Sequence, residues 1–341
     1  MKIAGIPRRT SLAAAAAAVV AAGLLHVSPA AAQDKVSFQL DWIPTGEYAI
    51  YYSALDNGFF REQRLDVTIN RGQGSGDTIR KVAAGTVEFG VADIATVMTA
   101  RQRSADSKVK SVMPVYTKPP HSLFVIKGSG VASFKDLEGK RVGTTPGNSH
   151  QIYLPFLTAA SSFDPAKINW VTTDPGAMGA MLINGQLDAA PFFQTHQYFQ
   201  NKQAQKNGRE IVAIPYANFG LDAYASTIIA SDAMIERNPD LVRRFLAALQ
   251  KSFLWARANP EAAARLHNKH HPQIDVDDAL GSLRIGLTFV FNDVTDRDGL
   301  GQFSDSRLRQ TYDLVAKTQQ LDPALDPKGF VDGRFAPKSG S

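Results

Sequence analysis

Apolar and polar residues alternate over residues 65–70, with Leu65, Val67 and Ile69 on one side and Asp66, Thr68 and Asn70 on the other, the period of a strand with one buried face. Three glycines follow in five residues, Gly72, Gly74 and Gly76. They predict a tight turn with uncovered N–H groups, with Ser75 or Asp77 capping a helix over residues 78–84 that stops at Gly85. A strand, a bare loop and a helix N-terminus would receive a polar or anionic ligand group. Residues 87–92 predict the next strand, with Asp93 at its carboxyl end. Residues 37–40 predict an earlier strand, broken at Pro44 and Gly46 before a helix through Tyr51, Ala54 and Leu55 that Gly58 ends. Strand, helix and strand in so few residues imply a parallel pair, and ligands gather at the carboxyl ends of such strands.

A second block repeats the plan. Residues 136–143 lead a strand into a small-residue loop over residues 144–149 and a helix from about His150. Ala84-Gly85-Thr86-Val87-Glu88-Phe89 is echoed by Asn184-Gly185-Gln186-Leu187-Asp188-Ala189, each a glycine-ended helix entering a strand, and residues 191–194 stand where Asp93 stood. Two halves of similar plan, each presenting a loop at a helix N-terminus, predict a cleft that clamps a ligand. Residues 226–230 then read as an apolar strand, and the chain becomes mainly helical. Leu241, Phe245, Leu249 and Phe253 recur every four residues, a helix face built for a core. Pro239 and Pro260 suit first helical positions, and the tail after Asp322 predicts an irregular surface wrap.

The N-terminal residues 1–32 read as a cleavable export signal. Lys2, Arg8 and Arg9 precede an apolar run over residues 12–25, and Ala30-Ala31-Ala32 supplies a small-residue cleavage site. That run is short for a membrane span and no later apolar stretch exceeds it. Arg8-Arg9-Thr10-Ser11-Leu12 fits a twin-arginine signal loosely, beside the ordinary Sec route. Residues 33–341 are more than one compact core usually organises, so two lobes are expected. The formal charge of +5 falls to +2 without Lys2, Arg8 and Arg9, a balance that gives no reason to expect nucleic acid. The chain has no cysteine, which removes disulfides, thiolate metal sites, a cysteine nucleophile and a lipidated N-terminal cysteine.

Several chemistries fail on spacing. A dinucleotide loop counted from Gly72 needs glycine at position 77, which is Asp77, and no Gly-Lys-Ser/Thr follows. Gly-x-Ser-x-Gly is absent, and no Ser/His/Asp set stands out. His267, His270 and His271 lack an acidic partner spaced for a metal and read as solvated helix-end residues.

The chain resembles the NMT1/THI5-like group of periplasmic solute-binding proteins of ABC importers, which includes binders of thiamine-pyrimidine precursors, sulfonates, taurine and nitrate. The matching residues are Asp41-Trp42-x-Pro44, Asp56-Asn57-Gly58-Phe59-Phe60 running to Leu65-Asp66-Val67, and the glycine loop ending in Asp77. They continue through residues 83–93, residues 136–143 and residues 238–245. The resemblance spans essentially all of residues 33–341. It implies an α/β type II periplasmic-binding fold, two lobes closing on a small solute, with lobe one formed by 33–123 and 226–341 and lobe two by 124–225. Crossovers are expected near Leu123-Phe124-Val125 and Tyr224-Ala225-Ser226. It further implies a monomer free in the periplasm, delivering its solute to a membrane permease with a cytoplasmic ATPase, with no catalytic residue, metal or cofactor.

The candidate ligand residues follow from strand and loop ends. Trp42 would stack on a flat ligand or plug its lobe. Glu47 and Tyr48 would face the cleft or cap a helix. Gly74, Ser75, Gly76 and Asp77 would offer N–H groups from lobe one, and Thr145, Asn148 and Ser149 from lobe two, with His150 beside them. Asp93 would accept from a ligand amine or cap the helix after it. Phe192 and Gln194 are the strand-end pair of lobe two, and Tyr224 lies near the hinge. If Glu47 and Asp93 face the cleft, they favour an aminopyrimidine-like heterocycle; if not, helix N-termini favour a sulfonate, carboxylate or other oxyanion. The rival of another class is a pyrimidine synthase like the yeast THI5-type enzymes. Those use a cysteine-rich motif and a pyridoxal-bearing lysine, and this chain has no cysteine.

Overall fold

Strand β1 (Asp34–Gln39) pairs in parallel with β2 (Leu65–Asn70), Val36 opposite Val67 and Phe38 opposite Ile69, and on its other side with β3 (Phe89–Asp93). Beyond β3 the sheet alternates direction: β4 (Val109–Pro114) is its far edge, and the strand between them, Ser226–Ser231, runs antiparallel to both. That strand is β10, because all five strands of a second sheet intervene: β5 (His121–Ile126), β6 (Arg141–Thr144), β7 (Asn169–Thr172), β8 (Ala189–Phe193) and β9 (Ile211–Pro215). The orders are β2-β1-β3-β10-β4 and β7-β6-β8-β5-β9. In each, three parallel strands are followed by one antiparallel strand from outside the local sequence run and a last edge strand. The computed structural model describes residues 1–2 and 32–338, and the compact body begins at Asp34. The export-signal reading falls on residues that lie, almost all of them, outside those described.

The echo read from the sequence is a real pseudo-repeat. Helix α3 (Ser75–Ala83) ends on Gly85 at φ +69°, and α6 (Pro175–Ile183) on Gly185 at φ +72°, a left-handed turn that glycine adopts without strain. The following acids match too: Glu88 accepts from the Ser37 N–H of β1 at 2.7 Å, and Asp188 from the Arg141 N–H of β6 at 2.8 Å. The order of strands corrects one pairing. The loop over 144–149 leaves β6, so its counterpart is the loop after β1, and the counterpart of the glycine loop is the short turn at 173–174.

Packing follows the alternation. Phe38, Phe89 and Val91 bury one face of the first sheet against α1 (Ala49–Asp56), α2 (Phe59–Glu62) and α9 (Pro239–Ala258). The stripe on α9 supplies Phe245, stacked on Phe89 at 4.1 Å, together with Leu249 and Phe253. Ala92 and Ile229 bury the opposite face against α3 and α4 (Ile94–Arg103). In the second sheet Leu123 and Val125 face a core shared with α5 (Leu154–Ser161), α4 and α13 (Asp305–Gln319). Phe124 points the other way, into α6 and α7 (Gln197–Lys206). Pro239 and Pro260 open α9 and α10 (Pro260–His270) as expected. The remaining helices are α8 (Asp232–Arg237), α11 (Val276–Val290) and α12 (Asp293–Asp298). The tail is irregular, bridging β4 at Ser111 through Val331 and burying Phe335.

The chain crosses between sheets at residues 115–120 and 216–225, where Tyr116 N–H donates to the Ser226 carbonyl and Ala225 N–H to that of Tyr116. Leu123, Phe124 and Val125, expected at the first crossing, are instead interior residues of β5 in the second sheet.

Candidate functional site

The carboxyl ends of β1, β3 and β8 converge on one point. Past β1 the chain runs into buried Asp41 and half-buried Trp42. The glycine loop folds back onto this segment: Gly72 N–H donates to the Trp42 carbonyl at 2.8 Å and Gly74 N–H to that of Asp41 at 2.7 Å. A Cβ at Gly72 would lie 2.1 Å from the Leu40 oxygen, so only glycine fits. Gly76 N–H donates to the Gly147 carbonyl at 3.1 Å, which makes the two glycine-bearing loops meet face to face. The expected cradle of bare N–H groups is therefore not formed, because Gly72, Gly74 and Gly76 have each given their N–H to backbone oxygen. Ser75 begins α3 rather than capping it; Gly74 holds the cap position, and Ser75 Oγ accepts from Asp93 N–H at 3.0 Å. Asp77 faces away, paired with Lys81 at 2.8 Å and Arg80 at 3.3 Å.

The opposing wall comes from the second sheet. Asn148 caps the 3-10 turn Ser149–Tyr153 by accepting from His150 N–H, and its Oδ1 lies 2.7 Å from His150 Nδ1. Pro191, Phe192 and Phe193 end β8, and the Phe192 ring stacks on His196 at 5.2 Å. Together with Asp41, Trp42, Glu47, Gly74 and Ser75, these residues enclose a cavity of about 30 Å³. Thr145 is buried behind this lining, Gln194 opens instead on a separate surface pocket beside Pro119, and Tyr224 packs on Phe303 with its hydroxyl accepting from Ser304 N–H. The last two do not reach the cavity.

Carboxylates dominate its chemistry. Tyr48, itself buried, donates to Asp41 Oδ1 at 2.7 Å, and burial still pushes the Asp41 carboxyl up to about 7. Glu47 accepts from Thr45 (2.7 Å), Ser282 (2.9 Å) and, across from the second sheet, Thr195 (3.0 Å), with His196 Nε2 at 3.5 Å. Burial alone would raise this acid; His196 and the hydroxyls outweigh it and hold Glu47 at about 2. Asp93 lies just behind the lining and takes the capping role, accepting from Ala95 N–H at 2.9 Å and from Tyr153 hydroxyl at 3.2 Å, and burial raises it to about 7. Among the described residues no lysine or arginine lines the cavity. His121 Nε2 approaches both Ser149 Oγ (3.1 Å) and Asp93 Oδ2 (3.6 Å), a Ser/His/Asp grouping that the sequence did not reveal. A proton relay needs one partner on each ring nitrogen; here both share Nε2 and Nδ1 has none among the described residues, a geometry unlike that of a nucleophilic triad.

Trp42 Nε1 and Asn148 Nδ2 are buried at the cavity wall without a partner among the described residues. Each such atom costs roughly 1–3 kcal/mol unless something else satisfies it. Asp41, Phe193, His121 and His196 were not among the candidates. Asp41 entered only through the Asp41-Trp42-x-Pro44 match and was given no ligand role, and His196 carries no local signal at all. The distal histidines depart from expectation: His267 is fully buried, its ring 5.4 Å from that of Tyr52, His270 pairs with Asp56 at 3.0 Å, and His271 bonds the Tyr52 hydroxyl at 2.7 Å. Among the described residues no group of side chains could hold a metal ion.

The NMT1/THI5 like family model matches residues 45–263, more than half of the sequence. The chain belongs to the NMT1/THI5-like family. It is 26% identical over 253 residues to a 4-amino-5-hydroxymethyl-2-methylpyrimidine phosphate synthase of Saccharomyces cerevisiae, covering 72% of this chain and 73% of the yeast protein. It is 27% identical over 235 residues to the formylaminopyrimidine-binding protein of Halalkalibacterium halodurans, covering 68% and 69%. It is 24% identical over 330 residues to the riboflavin-binding protein RibY of Chloroflexus aurantiacus, covering 94% and 91%. Among solved structures, the alkanesulfonate-binding protein SsuA of Xanthomonas axonopodis pv. citri superimposes with a TM-score of 0.66 at 15% identity, covering 89% of this chain and all of SsuA. The NMT1/THI5-like chain thus has the type II periplasmic-binding fold.

Proposed function

We propose that this protein is the solute-binding component of an ABC-type importer and that it captures a small amino-substituted aromatic nitrogen heterocycle resembling the thiamine pyrimidine. The observation that carries this reading is the lining itself: two carboxylates, Asp41 and Glu47, among Trp42, Phe192 and Phe193, with no lysine or arginine. Carboxylates accept from ring amino groups, and aromatic faces stack on a flat ring. A sulfonate, taurine, nitrate or carboxylate would find no lysine or arginine among the described residues lining it to pair with, and the glycine-loop N–H groups that would receive it are already engaged. The formylaminopyrimidine-binding relative supports the pyrimidine, and a structural neighbour from Staphylococcus aureus named as the ligand-binding component of an ABC-type import system supports the importer role. On this reading the two sheets and their helices act as lobes, the crossings at 115–120 and 216–225 are the hinge, and Trp42, Asn148, Ser149 and His150 join the two acids on the solute. The protein works as a monomer outside the cytoplasmic membrane, after removal of its N-terminal segment, and docks on a permease coupled to an ATPase. The yeast relatives are named as synthases; the absence of cysteine weighs against that chemistry here.

Titration calorimetry of the protein lacking residues 1–32 tests the proposal. Binding of 4-amino-5-hydroxymethyl-2-methylpyrimidine, with no heat from taurine or methanesulfonate and no pyridoxal absorbance in the purified protein, is expected. A tightly held oxyanion without a ring would overturn it.

A further inference from the structure

Helix α11 belongs to the first sheet's side of the molecule. Leu283 and Val290 are buried in the same core as Phe38 and Phe89, and a Cβ on Gly46 would lie 2.3 Å from the Ala279 oxygen. Its C-terminal end is fixed at the first crossing, where Thr117 N–H donates to the Phe289 carbonyl at 3.0 Å. The N-terminal end, capped by Asp275, therefore lies a helix length of roughly 20 Å from that crossing. Along the way α11 faces α7 of the second sheet, whose Ala204 is buried with Phe124 and Phe192. The meeting surface carries no side chain at Gly281, where a Cβ would lie 2.4 Å from the Tyr198 ring. At the far end Lys202 Nζ reaches across from α7 to Asp275 at 2.9 Å and to buried Asp278 at 2.6 Å. Among the described residues these two are the hydrogen bonds that join α7 to α11 and its cap. Another ion pair between the two sides, Arg71 with Asp174 at 3.9 Å, has both partners exposed and adds little. Lys202 differs in holding two carboxylates at once, one of them shielded from water.

We propose that Lys202 is a positioning residue for solute capture: the latch that holds the two sides together, through bonds that form only when the cleft is shut. This rests on the reading of two lobes closing about the crossings, and adds a source of affinity that lies outside the solute's own contacts. A rotation about the crossings displaces the far end of α11 most, so the Lys202 bonds break on opening and all three charged groups return to water. Bonds present in the closed form alone count in full toward solute affinity without touching the solute.

A chain without cysteine takes spin labels only where cysteines are introduced. Asp66→Cys on edge strand β2 and Ala177→Cys on α6, just after edge strand β7, are exposed and stand at the sheet edges away from the crossings. Distance measurements between the two labels, on the protein lacking residues 1–32, should give a short separation at low salt, with a longer one added at high salt. Lys202→Met keeps most of the stem and should show the longer separation already at low salt, with no further response to salt, whereas Lys202→Arg should keep the short one. Should Lys202→Met fail to fold, Asp275→Asn preserves the helix cap and removes one carboxylate, with the same shift expected in smaller measure. Calorimetry with 4-amino-5-hydroxymethyl-2-methylpyrimidine should show binding about tenfold weaker in Lys202→Met at low salt. Identical separations in wild type and variant overturn the latch, even where the variant melts lower. Pyrimidine that does not bind, while the separations follow Lys202 and salt, defeats the pyrimidine reading and supports the latch. One unchanging separation in a wild type that binds the pyrimidine overturns the latch and two-lobe closure together.

Discussion

Asp41→Asn should make this protein more stable at alkaline pH, although it removes a group from the heart of the site. Asp41 is buried, and its one close partner, the Tyr48 hydroxyl, does not offset the loss of water: the carboxyl moves from 3.8 to about 7. The sign follows from proton counting. A folded-state value above the unfolded one means that the native protein holds the extra proton between about pH 4 and pH 7, so stability is fully present below about 4, falls across that window and levels off above 7. A shift of roughly three pH units corresponds to about 4 kcal/mol, or on the order of 10 °C in Tm for a chain of this size. Asparagine keeps the acceptor for Tyr48 and carries no charge to bury. Thermal unfolding followed by circular dichroism should show wild type and variant together at pH 4 and the variant melting well above wild type at pH 8. Equal pH profiles, or a variant less stable at pH 8, would refute the account of Asp41 as a buried, strained acid. The same variant should bind the aminopyrimidine more weakly, a trade of stability for a site.

Two further perturbations probe the surroundings. Glu47 has the opposite sign: held at about 2 against an ordinary 4.5, it contributes about 3 kcal/mol above pH 4.5 that is lost as pH falls toward 2, and Glu47→Gln should flatten that acid limb in denaturant titrations. Gly72→Ala places a methyl carbon 2.1 Å from the Leu40 oxygen and should cost more than about 3 kcal/mol or abolish soluble expression; Gly85→Ala, in open space at φ +69°, should cost only about 1 kcal/mol in the same unfolding assay.

The parallel strands, the α9 stripe and the glycine-ended helices of both halves were legible because each is fixed by local periodicity or by a φ that only glycine tolerates. Trp42, Phe192, Asn148 and Glu47 were also legible, since strand ends and helix starts of an open sheet point to one place. The glycine loop misled: its composition announces free N–H groups, but whether they stay free depends on Asp41, Trp42 and Gly147, which reach it only through the fold. Gln194 and Tyr224 failed for a related reason: Gln194 is the first residue of the 3-10 turn after β8 and opens on a different pocket, and Tyr224 lies in the crossing before β10, where Phe303 and Ser304, distant in sequence, engage it. His121 and His196 left no trace in the sequence because the polar partners of each, Ser149 and Asp93 for one and Glu47 for the other, lie more than twenty positions away.

The strand order also sets a timetable for synthesis. The second sheet draws all its strands from residues 121–215, so it can close as soon as that segment leaves the ribosome. The first sheet cannot: β4 pairs with no strand but β10, and one edge of β3 stays open until residue 231 is made. The sheet begun first is thus the sheet whose strand pairing is completed last, and for more than a hundred residues of elongation its apolar strand edges must be shielded by something other than the native fold.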